Sequence, residues 1–161
     1  MRKIKHYQFG FEVWGLVLFL LVMLPNFIWF AIPAPNDILR TASSTPIIDM
    51  VSSFFHDLTI ACLCFIVNRN RPPLRLSPCV IATIACIALY YIGWVFYYTG
   101  NTQSYIILLL TVPPCAAFIL FSVDRNNLPA LVFASAFAVC HLIFGIINLD
   151  LKFGDWCYFY W

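Results

Sequence analysis

Charge is the scarcest property of this chain: 10% of its residues are Asp, Glu, Lys or Arg, 63% are hydrophobic, and the mean hydropathy is +0.88. Soluble domains average about 25% charged residues, so no water-soluble fold could hide this much apolar surface. No polar stretch is long enough for a separate extramembrane domain. Residues 1–161 therefore read as one transmembrane domain, with any activity inside the helices or at their short loops. Motifs that dictate a chemistry are also missing. There is no CxxC, and in Cys62-Leu63-Cys64 the two thiols point about 200° apart on a helix, which argues against a thiol oxidoreductase. No HxxxH or HxxE spacing is present, so no metal site is assigned, and no cofactor is indicated. No internal repeat is visible. An inverted-repeat transporter made from one chain shows matching halves, so transport by that mechanism calls for a homodimer.

What the chain does have is apolar length. A helix needs roughly 20 mostly apolar residues to cross the hydrocarbon core, and five runs meet or approach that: 10–32, 46–67, 78–99, 104–123 and 128–148. The fold expected is all-α, a polytopic integral membrane protein with a single bundle of five transmembrane helices. Basic residues near the spans set orientation. Arg2, Lys3, Lys5, Arg69, Arg71, Arg75 and Arg125, seven of the nine Lys and Arg, fall on alternate hinges. The amino terminus is therefore expected in the cytoplasm and the carboxyl terminus outside. The net charge of +2 is accounted for by this topology and requires no nucleic acid. Glu12 and Trp14 interrupt the first run, which lacks a small-residue cleavage site and reads as a retained helix. A multi-pass protein of a plasma membrane, bacterial in the first instance, fits these features.

Polar residues inside the spans carry the functional information, because each is costly against lipid and should face a partner or a cavity. In the second span Asp49, Ser52, Ser53, His56 and Asp57 recur at helical spacing. Asp57 lies about 15 Å from the outer end at the helical rise. Neighbours diverge by about 100°, so His56 and Asp57 should each find a partner on another helix. His141 in the fifth span lies near the depth of His56, and Asn148 follows two turns later as a capping residue. Pro25 predicts a kink in the first span, with Asn26 reaching the freed backbone or the second helix. Glu12 is close enough to the inner boundary to reach water. Pro113-Pro114 predicts a broken or sharply bent fourth helix beside a cavity. Tyr90, Tyr91, Trp94, Tyr97 and Tyr98 divide between an interfacial belt and the aromatic wall of a pocket.

These features concentrate at the midplane and in the outer half, as expected of a small-molecule pocket. The 32–37 segment and the aromatic tail 156–161 could fold over its mouth. Five helices, this length and the abundance of aromatics resemble the tryptophan-rich sensory or translocator proteins, which bind porphyrins and sterols. The tryptophan- and proline-containing signature of that family is absent from 10–32 and 90–98. The resemblance implies an apolar ligand and carries over no residues. The functional expectation is a membrane protein that binds, and transports or senses, a small amphipathic or cationic molecule. Asn26, His56, Asp57, Tyr91, Trp94 and His141 are the ligand-binding residues expected. Asp57 would neutralise a cation or exchange a proton, the histidines would hydrogen-bond or titrate, and Tyr91 and Trp94 would stack. The alternatives are a membrane-embedded enzyme acting on a lipid or quinone, and a structural or accessory subunit. Ser52 and Ser53 lie near His56, but serines in membrane helices usually bond their own backbone.

Overall fold

The computed structural model describes residues 6–40 and 43–157, with side chains to Ile147. The roles expected of Asn148 and of the tail side chains at 156–161 lie outside them. Five helices account for the apolar runs: α1 (Val13–Ala31), α2 (Pro46–Phe65), α3 (Pro78–Tyr98), α4 (Ser104–Asp124) and α5 (Leu128–Cys157). All five are long and apolar enough to cross a membrane, α5 through its Leu128–Ile147 portion. Helix α5 thus runs on past the end expected at 148. Their ends follow local chemistry. Pro46 and Pro78 occupy the first turns of α2 and α3, where a missing N–H costs nothing. Ser77 caps α3 by accepting from the Val80 N–H at 3.2 Å. Helix α1 stops at Ile32, directly before Pro33, which disfavours helical backbone in the residue ahead of it.

Two short strands depart from the all-α expectation. β1 (Tyr7–Phe9) pairs antiparallel with β2 (Ile66–Asn68), in the register Tyr7 to Asn68 and Phe9 to Ile66. The pairing continues as hydrogen bonds from Gly10 N to Phe65 O and from Glu12 N to Cys64 O. Aromatic and β-branched residues favour this geometry, and pairing satisfies backbone groups that flank two apolar helices.

Helix α4 is the centre of the bundle: 61% of its most apolar window is buried, against 22–28% for the other four helices. It packs along α3 and α5, α5 packs along α2, and α1 is held more sparsely. The outward faces carry large apolar side chains such as Leu24, Phe27, Ile84, Val95, Val132 and Val139. That surface suits lipid and not water. Close approach is achieved at glycines. A Cβ on Gly15 would stand 2.5 Å from Leu63 O, and one on Gly93 would stand 3.0 Å from Leu109 Cβ, so α1 with α2 and α3 with α4 meet nearly backbone to backbone.

Neither proline site breaks its helix. Helix α4 is continuous through Pro113 and Pro114, which are both buried, and α1 is continuous through Pro25. Of the broken or sharply bent helix expected at Pro113-Pro114, the break is corrected to a continuous helix, held by neighbours on several sides. The carbonyls of Leu109 and Leu110 still lose their helical donors.

Candidate functional site

The two ends of the bundle are tied by different polar groups. At the end holding the amino-terminal segment, Glu12 Oε2 lies 2.6 Å from Arg71 Nη1 and 3.2 Å from Arg125 Nη2. Arg125 also donates to Pro72 O at 2.8 Å, and the Ser77 hydroxyl donates to Asp124. Asn127 donates to Cys62 O and Ile66 O, and Asn68 donates to Asn126 O. This knot joins the start of α1, the α2–α3 loop and the α4–α5 turn. Glu12 is 5% exposed, which corrects the expectation that it reaches water: the two guanidiniums replace water around it.

At the opposite end, Asp37 organises the α1–α2 loop. Its carboxylate accepts from Trp29 Nε1 at 2.9 Å, the Tyr97 hydroxyl at 2.7 Å, Arg40 Nε at 2.9 Å and the Ala34 N–H at 3.4 Å. Burial alone would raise the pKa of Asp37, but these donors outweigh it and hold the carboxyl below its ordinary 3.8. Arg40 also donates to the carbonyls of Trp29 and Phe30, with its guanidinium 5.0 Å from the Trp29 ring centroid. The Tyr97 hydroxyl in turn accepts from Leu39 N at 3.1 Å. The loop is thereby pinned across the ends of α1 and α3.

Beneath it lies a cavity of about 170 Å³. The loop contributes Ile38, Leu39 and Ser43; α1 contributes Asn26 and Trp29, and α3 contributes Tyr90 and Trp94. Helix α4 supplies Ile107, Leu110 and Thr111, and α5 supplies His141, Phe144 and Gly145. Asn26 Nδ2 donates to Val22 O at 3.0 Å and to the Tyr90 hydroxyl at 2.7 Å. The indole N–H of Trp94 is buried beside the Tyr90 hydroxyl, without forming a well-aligned hydrogen bond. A second cavity of about 230 Å³ runs between α1 and α3 nearer the other end, lined by apolar side chains and the Thr83 methyl face. The Thr83 hydroxyl is spent on Cys79 O at 2.8 Å, so that groove has nothing with which to orient a ligand.

Of the six residues expected to bind ligand, the structure brings Asn26, Trp94 and His141 together at the cavity and leaves His56, Asp57 and Tyr91 outside it. His56 is packed among rings, 5.0 Å from Phe137 and 5.8 Å from Phe118 by centroid. Phe137 also stacks on His141 at 5.0 Å, separating the two imidazoles. Asp57 is the larger departure. Its side chain is 85% exposed on the outer face of α2, and its closest polar contact is His56 Nδ1 at 3.8 Å, beyond hydrogen-bond range. Turning His56 inward swings its neighbour outward, because successive helical residues diverge by about 100°. Asp57 therefore does not floor this cavity. Tyr91 is spent on backbone, donating to Leu21 O at 2.9 Å.

Tyr90, Trp29, Thr111 and Gly145 also line it, whereas Asp37 and Tyr97 hold the loop from outside the lining. None of residues 32–37, the segment expected over the mouth, lines the cavity; the α1–α2 loop reaches it instead through Ile38, Leu39 and Ser43. The sequence signal was available for Tyr90, an aromatic too deep for an interfacial belt. For the Asp37 clamp it was limited to an acid three residues before an arginine.

Among the described residues no group of three or more His, Cys, Asp or Glu side chains could hold a metal ion, and the six cysteines described are unpaired thiols. No family model, curated protein or solved structure matches the chain. The resemblance to the tryptophan-rich sensory or translocator proteins therefore rests on helix number and composition alone.

Proposed function

We propose that this is an integral membrane protein that binds a small amphipathic molecule in the cavity under the α1–α2 loop, for transport or sensing. The observation that carries the reading is a cavity of about 170 Å³ in which apolar walls surround a few polar side chains, those of Asn26, Tyr90 and His141. The amphipathic form of the ligand is favoured over the cationic one. No charged side chain lines the cavity, and the nearby carboxylate of Asp37 is already engaged by four donors.

Arg69, Arg71, Arg75 and Arg125 belong to the loops joined to the amino-terminal segment. This supports an orientation with that end in the cytoplasm and the cavity in the outer half of the bilayer. In the proposed homodimer, the face of α2 that exposes Asp57 meets its counterpart. Ser53 and Ala61, each one turn away on that face and also exposed, permit close approach.

Native mass spectrometry with lipidomics on the purified protein tests the reading. A stoichiometric small molecule is expected on the wild type and absent from a folded Gly145→Leu variant, whose side chain fills the cavity. A wild type that carries no specific adduct, even after exposure to a membrane extract, would overturn it.

A further inference from the structure

The groove between α1 and α3 near the amino-terminal end is separate from the cavity under the α1–α2 loop. Its floor is buried apolar surface from Leu18, Val80 and Phe121, and its lips, Trp14, Leu21 and Ile84, are exposed. It therefore opens sideways, toward lipid. On α1 the lining runs from Trp14 to Leu21, and on α3 from Val80 to Ile87. Each stretch measures about 10 Å at the helical rise, so the groove is a slot along the helix axes. A cavity of roughly 150 Å³ accepts the six carbons of benzene, so one of this size has room for about nine carbons of a chain.

The slot has no polar group to orient a small molecule, but a lipid chain is oriented from outside, by its headgroup. The mouth supplies a group for that purpose. Leu74 lines the slot, and Arg75 follows it directly, about 3.8 Å further along the backbone. The loop that carries both is fixed in place. Arg125 Nη1 donates to Pro72 O at 2.8 Å, Ser77 N donates to Arg75 O at 2.8 Å, and the Ser77 hydroxyl donates to Asp124. Arg75 itself is exposed, and its guanidinium makes no hydrogen bond or ion pair among the described residues. The other arginines of this end are engaged: Arg69 donates to Gln8 at 2.9 Å, and Arg71 and Arg125 are held by Glu12. A guanidinium fork matches the oxygens of a phosphate. The acids of this end, Glu12 and Asp124, are buried against arginine, so neither is free to pair with the ammonium of a zwitterionic headgroup.

We infer that the slot holds one acyl chain of an anionic phospholipid from the leaflet at this end of the bundle, with its phosphate on Arg75. Trp14, exposed at the same mouth, is of the residue type enriched at headgroup level. This site is independent of the ligand proposed for the other cavity, and either can stand without the other.

Native mass spectrometry in a neutral detergent tests the headgroup, comparing dioleoyl phosphatidylglycerol with dioleoyl phosphatidylcholine. The wild type is expected to retain one phosphatidylglycerol roughly tenfold more tightly, the equivalent of one hydrogen bond to a charged group. Arg75→Gln should bring phosphatidylglycerol down to the level of phosphatidylcholine. Arg69→Gln, at the same end but engaged by Gln8, should keep most of the preference. Equal losses in the two variants would assign the preference to diffuse surface charge and overturn the site, as would a wild type that prefers neither lipid. The chain is located in the wild type in liposomes, using phosphatidylglycerol with a photoactivatable diazirine midway along one chain. Irradiation should label α1 between Trp14 and Leu21 and α3 between Val80 and Ile87. Labelling spread evenly over the outward faces of the five helices would overturn the slot as the place of the chain.

Discussion

The Tyr91 hydroxyl donates to the Leu21 carbonyl at 2.9 Å, and Leu21 is the residue whose helical donor Pro25 removes. A proline inside a helix deprives the carbonyl four residues earlier; here α3 supplies the missing donor to α1. The two residues are thus coupled. Tyr91→Phe is expected to cost about 0.6–1.5 kcal/mol. In a Pro25→Ala background the restored N–H serves Leu21, so the same change should cost less. A double-mutant cycle of reversible unfolding in mixed micelles measures the difference. Additive effects would show that Tyr91 is not the replacement donor.

This pair also shows what could be read from residues alone. Pro25 announces a carbonyl in need of a donor, but which hydroxyl answers depends on how α3 lies against α1. The five spans were legible because apolar length over about 20 residues has one main use, and apart from the carboxyl end of α5 their limits moved little. Asn26, Trp94 and His141 were reachable by asking which polar groups a bilayer would not tolerate. Asp57 was assigned by the same rule, yet the stripe from Asp49 to Asp57 covers a wide arc of α2. Periodicity does not say which edge of such an arc faces inward. The β1–β2 pair, the Glu12 knot and the Asp37 clamp join segments far apart in the chain, so no local pattern announces them.

Asp37 predicts an acid-sensitive clamp. Its carboxyl lies below the ordinary 3.8 in the folded protein, so the stabilisation is present above the unfolded value and is lost as pH falls through the folded one. Thermal stability should stay flat in this respect from about pH 7 to pH 5 and decline only below about pH 4. Asp37→Asn removes the negative charge that Arg40 and Trp29 address. A loss of about 1.5–3 kcal/mol at neutral pH is expected, together with disappearance of that acid-dependent component. Unfolding curves for both proteins across this range check the prediction, and identical acid dependence would assign the effect to another group.

The buried ion cluster at the other end should be intolerant of partial dismantling. Glu12 contacts both Arg71 and Arg125, and the Arg125 side chain is 5% exposed. Glu12→Ala leaves a guanidinium buried without its closest carboxylate, which typically costs about 3–5 kcal/mol. Replacing both partners, as Glu12→Leu with Arg125→Met, should recover much of that loss because the charges vanish together. Melting temperatures of the single and double variants in one detergent decide the matter. A double variant as unstable as the sum of its parts would mean that Arg125 acts mainly through Pro72 and Asp124.

Asp57 makes the prediction that separates ligand binding from assembly. It is the twelfth residue of the twenty in α2 and its side chain is 85% exposed, so in a bilayer it faces lipid or a second protein. An acid at helix centre costs about 2.5–3.5 kcal/mol on insertion scales, an expense that contact with another copy would relieve. With α2 helices crossing between Ser53 and Asp57, the serine hydroxyls can donate across a two-fold axis to the carboxylates. Asp57→Leu should therefore abolish energy transfer between donor- and acceptor-labelled copies in liposomes at high lipid dilution. The same variant should leave the small-molecule adduct of the cavity unchanged. Undiminished transfer would move the dimer contact off this face of α2. A loss of that adduct would instead return Asp57 to the site, against its outward position on the helix.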